Sequence, residues 1–124
     1  MSTEPRTVTL ATLDHGDVIL PEPDWCRGHA DHRPDTYRAD ITHYAPQVDL
    51  RHRGRAIGFA AIAQAPCAER SARNIRGYVV LSYESADGFD PAGLYDLAAE
   101  LDMHADRLRA LADQLDTILG GGSQ

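Results

Sequence analysis

The stretch from Pro91 to Leu119 repeats leucine every seventh residue, at Leu94, Leu101, Leu108 and Leu115. Leu97, His104, Leu111 and Ile118 fill a second series at the same period, so apolar residues fall on one side of a helix for four heptads with a single polar member. Both ends carry stop signals. Asp90 is a capping residue, Pro91 suits the first helical position because its missing N–H would be unpaired there anyway, and Gly120 is able to take the left-handed conformation that ends helices. The pattern predicts one helix over 91–119, roughly 43 Å long, against about 20 Å for a six-residue strand. Such a helix overhangs the sheet it packs on. A near-strict heptad also suits pairing with a second copy, and the expectation is a homodimer using Leu94, Leu101, His104, Leu108 and Leu115.

Upstream the patterning has period two. Thr7–Leu13 alternates Val8 and Leu10 with threonines, and Asp14–Asp17 supplies turn chemistry before Val18, Ile19 and Leu20, which reads as a hairpin. Tyr37–Tyr44 and Val48–Arg53 read as two further strands, with Val48, Leu50 and His52 on one face. Arg53-Gly54-Arg55 is a tight connection into Ala56–Ala63, and Tyr78–Tyr83 is dense in β-branched and aromatic residues, which suits a central strand. Residues 21–35 and 64–75 read as loops. The expected fold is α+β: an antiparallel sheet of four to six strands over 7–83, then the long helix, in one domain of residues 1–120 with a disordered tail at 120–124.

Charge is distributed unevenly. The net value of −7 combines −5 over residues 1–50, +5 over 51–76 and −7 over the remainder, and every basic residue is arginine. The acidic total argues against non-specific binding to nucleic acid, whereas the island of Arg51, Arg53, Arg55, Arg70, Arg73 and Arg76 has the charge to hold an anion or nucleic acid locally. The competing reading is that the island pairs with the chain's own acids. No apolar run approaches the ~18 residues that span a bilayer. Residues 1–6 lack the basic-then-apolar layout of a secretory leader, and two cysteines are too few for a disulfide framework, so a cytoplasmic protein is expected.

Reactive side chains cluster in Trp25-Cys26-Arg27-Gly28-His29-Ala30-Asp31-His32, with His43 further on. Thiolate and neutral imidazole are the ligands zinc prefers, and the two-residue gap between Cys26 and His29 allows one turn to aim both at one ion. The candidate ligands are Cys26, His29, His32 and His43, with His15 and Glu22 as further donors. Without metal, Trp25 and Cys26 would pin the loop by packing. A zinc-dependent hydrolase centred on Cys26, His29 and His32 is an alternative, although no HExxH or nucleophile-elbow pattern accompanies it.

The segment Pro23-Asp24-Trp25-Cys26-Arg27-Gly28-His29, taken with the strands and with Asp90-Pro91-Ala92-Gly93-Leu94-Tyr95-Asp96-Leu97-Ala98-Ala99-Glu100-Leu101, resembles a family of small actinobacterial domains of unknown function. They share a Pro-x-Trp-Cys signature with a nearby histidine and end in an alanine- and leucine-rich helix. The likeness covers about residues 6–119. It implies that the Trp-Cys-x-x-His segment is a family feature, and many members carry a cysteine before the signature proline where this chain has Glu22. A carboxylate is able to replace a thiolate as ligand. The combined expectation is a small non-enzymatic binding or regulatory protein, with zinc as its cofactor.

Overall fold

The computed structural model describes residues 6–85 and 87–121. Among these residues six strands in two antiparallel sheets precede one long helix, an α+β arrangement. Residue contacts divide the chain into two compact units: one is Met1–Pro46 with Ala63–Arg76, the other Gln47–Ile62 with Gly77–Gln124.

In the first unit β1 (Arg6–Thr12) and β2 (Gly16–Glu22) form the expected hairpin, with Val8 opposite Leu20 and Leu10 opposite Val18. Alternation turns Leu10 and Leu20 inward, where they meet Ile41 in a small core flanked by Val8, Val18 and Cys67. The stretch Tyr37–Tyr44 departs from the strand expected there. It holds a 3-10 turn at Arg38–Asp40, and only His43–Tyr44 pairs as β3. Local polar groups outcompete the ladder: Asp14 Oδ1 accepts from the Arg38 N–H at 2.9 Å, and the Tyr37 carbonyl from the Asp40 N–H at 2.9 Å. The alternation was nonetheless real, since Ile41, His43 and Ala45 are all buried on one side.

β5 (Arg55–Gln64) is the strand around which the four-stranded sheet is organised. Its last residues, Ala63 and Gln64, pair with β3 in the first unit. Its earlier part pairs with β4 (Val48–His52) through a two-residue turn in which Arg53 and Gly54 have φ of 51° and 78°. Positive φ at both positions gives a turn whose twist matches the flanking strands. In β4, Leu50 and His52 point inward as the alternation requires. β5 is buried from Ala60 to Ala63, consistent with apolar residues on both faces.

β6 (Arg76–Leu81) also pairs with β5, and the Ser82 N–H donates to the Ile57 carbonyl at 2.9 Å. A Cβ at Gly58 would collide with the Val80 carbonyl and lie 3.2 Å from Leu81 Cα, so this close approach requires glycine. The continuous apolar run suggested a central strand, but Tyr78, Val79 and Leu81 are exposed. β-propensity reports a fit to a pleated surface and does not say how many neighbours cover it.

The helix α1 spans Pro91–Gly121. Asp90 caps it as expected, its Oδ1 accepting from the Gly93 N–H at 2.8 Å. Gly120 does not end the helix: it lies within α1 and is not among the positive-φ glycines. Residues 122–124 of the expected disordered tail lie outside the described residues. α1 packs on β4 of its own unit through the second apolar series, with Leu111 and His104 buried and Leu97 and Ile118 half-buried. His104 Nε2 lies 2.7 Å from the Arg51 carbonyl and 3.0 Å from the Arg51 N–H, where the β4–β5 register shifts between Leu50 and Arg51. The polar member of the seam thus satisfies one backbone group of Arg51 at the irregular point of the ladder, donating to the carbonyl when Nε2 carries the proton and accepting from the N–H when it does not.

Candidate metal centre

Residues 23–42 connect β2 to β3 with no strand of their own. A loop of that length inside a small unit needs fixing points. The ends of the two strands provide them. Glu22 closes β2 on the same face as Leu20, and His43 opens β3 on the same face as Ile41, so strand alternation turns both side chains toward the unit's interior. Between them the Cys26 N–H donates to the Pro23 carbonyl at 3.1 Å and the Arg27 N–H to the Tyr44 carbonyl at 2.8 Å, which folds the signature segment back against β3. Gly28, at φ 98°, then turns its N–H onto Cys26 Sγ at 3.4 Å, a conformation that a side chain would disfavour.

Four donors converge as a result: Glu22, Cys26, His29 and His43 place their ligand atoms within 4.8 Å of one another. His29 Nε2 is 3.2 Å from Glu22 Oε1, 3.2 Å from His43 Nδ1 and 3.6 Å from Cys26 Sγ, and His43 Nδ1 is 3.1 Å from Glu22 Oε1. Zinc bonds of about 2.05 Å to nitrogen or oxygen and about 2.3 Å to sulfur give tetrahedral edges of roughly 3.3 Å between N or O donors and roughly 3.5 Å between N and S. The observed separations have this size and this order. The side chains are also withdrawn from water, with His43 1% exposed, His29 9% and Glu22 12%.

The electrostatics suit a cation. Burial pushes Glu22 up, but a hydrogen bond with Cys26 and the charges of His29 and His43 outweigh it, so the carboxyl sits below its ordinary value. Burial pushes the Cys26 thiol up, and the neighbouring Glu22 adds to that. Burial holds His43 below its ordinary value against the opposing pull of Glu22. His43 also hydrogen-bonds the Pro21 carbonyl, an outer contact that orients its ring, and Trp25 meets it edge-on with centroids 6.3 Å apart.

Three of the four ligands expected from spacing are therefore brought together, and the fourth is replaced. His32 is outside the cluster: its N–H follows the His29 carbonyl into a turn, and its Nε2 donates to the Ala11 carbonyl at 2.7 Å. Glu22 takes the fourth place. A readable signal for it existed in β2, where an acid occupies the inward phase set by Val18 and Leu20. His15, the other donor weighed, instead meets Asp14 at 3.0 Å and is largely exposed. Beside the cluster His29 also lines a groove with Arg27, Asp31, His32 and Arg33.

The arginines divide between the units, with Arg51, Arg53 and Arg55 in one and Arg70, Arg73 and Arg76 in the other. Several are engaged within the chain. Arg51 donates to the Gly54 carbonyl, Arg53 pairs with Asp96 at 3.0 Å, and Arg55 donates to the Glu84 carbonyl and lies 5.3 Å over the Tyr83 ring. Arg76 donates to the Ala72 carbonyl. Of the expected helix interface, Leu94 and Leu101 are exposed, Leu108 and Leu115 half-buried, and His104 faces its own sheet.

A family model described as a domain of unknown function, DUF6907, matches residues 7–117. The chain belongs to the DUF6907 family. The match takes in both strand ends, the Trp25–His29 segment and most of α1, so this DUF6907 domain carries the four-donor cluster and the helix inside the family's own span. Neither the curated proteins nor the solved structures include a match. Among the described residues of the domain, no helix is long and apolar enough to cross a membrane.

Proposed function

We propose that this is a small cytoplasmic binding or regulatory protein, not an enzyme, whose first unit is pinned by a structural zinc ion held by Glu22, Cys26, His29 and His43, and which forms a homodimer through α1. The convergence of four donors within 4.8 Å of one another, four of their six separations being of tetrahedral size, carries the metal reading. Mixed sulfur, nitrogen and oxygen ligands favour zinc over magnesium or calcium, which take oxygen. Four protein donors fill a tetrahedral shell and leave no position for an activated water, whereas the hydrolase reading needed an open position and His32 as a ligand. The small core of this unit supplies the need for a staple. The anion-binding alternative loses support from the internal engagement of Arg51, Arg53 and Arg55.

The protonation states give the reading a signed test. Zinc binds the Cys26 thiolate, yet the free site holds that thiol up, so the proton is present at neutral pH and binding must displace it. One proton released makes the affinity rise about tenfold for each pH unit gained, until the thiol ionises by itself. A competition titration with a chromophoric chelator between pH 6.5 and pH 8.5 (a window of about two units) should show this slope. Cys26→Ser should bind zinc more weakly and flatten the slope. Zinc affinity that Cys26→Ser leaves unchanged would end the proposal.

A further inference from the structure

Burial on the helix's own sheet is deepest in one of its two apolar series, at His104 and Leu111, while Leu115 of the other comes within 3.8 Å of where a Cβ of Gly77 would lie. Beside the first series runs a second stripe in which leucines and alanines alternate: Leu94, Ala98, Leu101, Ala105, Leu108, Ala112, Leu115 and Leu119. The spacing is four, three, four, three along the whole length, the period of a helix–helix seam. Leu94 is 55% exposed, Leu101 48% and Leu119 58%; Ala98 and Ala112 are exposed, and Ala105, Leu108 and Leu115 half-buried. No other described element of the chain covers the outer part of this stripe.

We propose that this stripe pairs with the same stripe of a second copy of the chain, antiparallel, about a two-fold axis between Asp106 and Arg107. The inference deepens the homodimer reading above by naming the face, the register and the orientation. In this register Leu101 meets the partner's Ala112, Leu108 meets the partner's Ala105, and Leu115 meets the partner's Ala98. Leu94 meets the partner's Leu119 at each end. Every inner layer sets a large side chain against a small one, so two helices approach closely without voids. An unshifted parallel pair would instead stack leucine on leucine and alanine on alanine, leaving alternate layers underfilled.

Charge supports the same orientation independently. The residues after Leu94, Leu101, Leu108 and Leu115 are Tyr95, Asp102, Arg109 and Asp116, all exposed and all along one border of the stripe, with Arg109 also meeting Asp106 of its own helix at 2.8 Å. Antiparallel pairing brings like borders together. Asp102 then faces the partner's Arg109, and the Tyr95 hydroxyl faces the partner's Asp116, each contact occurring twice by symmetry. A parallel pair would set this border against the Leu97, His104, Leu111 and Ile118 series, which is committed to the helix's own sheet.

Sedimentation equilibrium of the full chain tests the pairing, first with zinc and again after chelation. The expected mass is twice that of one chain. Arg109→Asp should weaken the dimer about tenfold, and adding Asp102→Arg should restore it, because the pair is re-formed with its charges exchanged. This rescue separates pairing from simple misfolding. For orientation, a mixture of Leu94→Cys and Leu119→Cys chains should yield an oxidised heterodimer that neither variant forms alone. A monomer at a concentration on the order of 100 µM, a charge exchange that fails to rescue, or Leu94→Cys joining to itself would each overturn the proposal. A zinc-bound monomer would remove the pairing and leave the metal site standing; a zinc-free dimer would do the reverse.

Discussion

Removing zinc with a chelator is expected to lower the thermal midpoint of the unit that contains β1, β2 and β3 by about 10–20 °C. That unit buries Leu10, Leu20 and Ile41, with Val8, Val18 and Cys67 beside them, against the cost of ordering a long irregular segment between β2 and β3. Each ordered residue costs about 1–2 kcal/mol of backbone entropy, so a modest core has little to spare. An ion present at about a thousand times its dissociation constant adds about 4 kcal/mol, and each kcal/mol moves the midpoint of a domain this size by roughly 3–6 °C. The chain's only tryptophan, Trp25, touches His43 edge-on, so its fluorescence reports this unit directly. His43→Ala should reproduce the loss in the presence of zinc, since it removes a ligand that is 1% exposed. The α1 ellipticity should persist below the midpoint, because the helix packs in the other unit. An identical Trp25 transition with and without chelator would contradict this account.

The second large effect lies at His52. Its side chain is 1% exposed in β4, and neither ring nitrogen has a hydrogen-bond partner among the described residues. Tyr83 and Phe89 face it edge-on, each with ring centroids 5.9 Å away. The cage is apolar where the imidazole is polar. An imidazole buried this way forfeits the bonds that its two ring nitrogens make to water, a penalty of about 1–3 kcal/mol. His52→Leu, of similar volume and without polar atoms, is therefore expected to stabilise the helix-bearing unit by about 1–3 kcal/mol in urea unfolding followed by far-UV ellipticity. His52→Asn keeps the polar burden and loses volume, so it should destabilise the same unit. A destabilised His52→Leu would show that the ring contacts outweigh the unpaired nitrogens.

The sequence was most readable where one local rule acts alone. The Asp90 cap, the start of α1 at Pro91, the β1–β2 hairpin and the tight turn at Arg53-Gly54 follow from capping, alternation and turn chemistry confined to a few residues. It was least readable where distant groups decide. Whether Tyr37–Tyr44 pairs as a strand depends on Asp14, 24 positions upstream of Arg38. The exposure of β6 depends on what covers it, and Val79 and Leu81 look the same in sequence in either case. The candidate metal site shows both situations. Cys26 and His29 were legible as a pair because one turn sets their separation, and His43 as a further donor. Glu22 displaced His32 only because the end of β2 and the start of β3 are brought beside that turn, a long-range fact with no spacing signature. The helix was legible as an amphipathic element, but its two apolar series separated only when β4 was seen to cover His104 and Leu111 while leaving Leu94 and Leu101 outside.

The central claim is the ligand set, and zinc K-edge X-ray absorption on the purified chain measures it most directly. The predicted spectrum has one sulfur at about 2.3 Å and three nitrogen or oxygen donors at about 2.0–2.1 Å, with the multiple-scattering signature of two imidazoles. The sulfur shell should vanish in Cys26→Ser, and His32→Ala should leave the spectrum unchanged. A six-coordinate oxygen shell, a spectrum without sulfur, or a shell altered by His32→Ala would contradict the site built from Glu22, Cys26, His29 and His43.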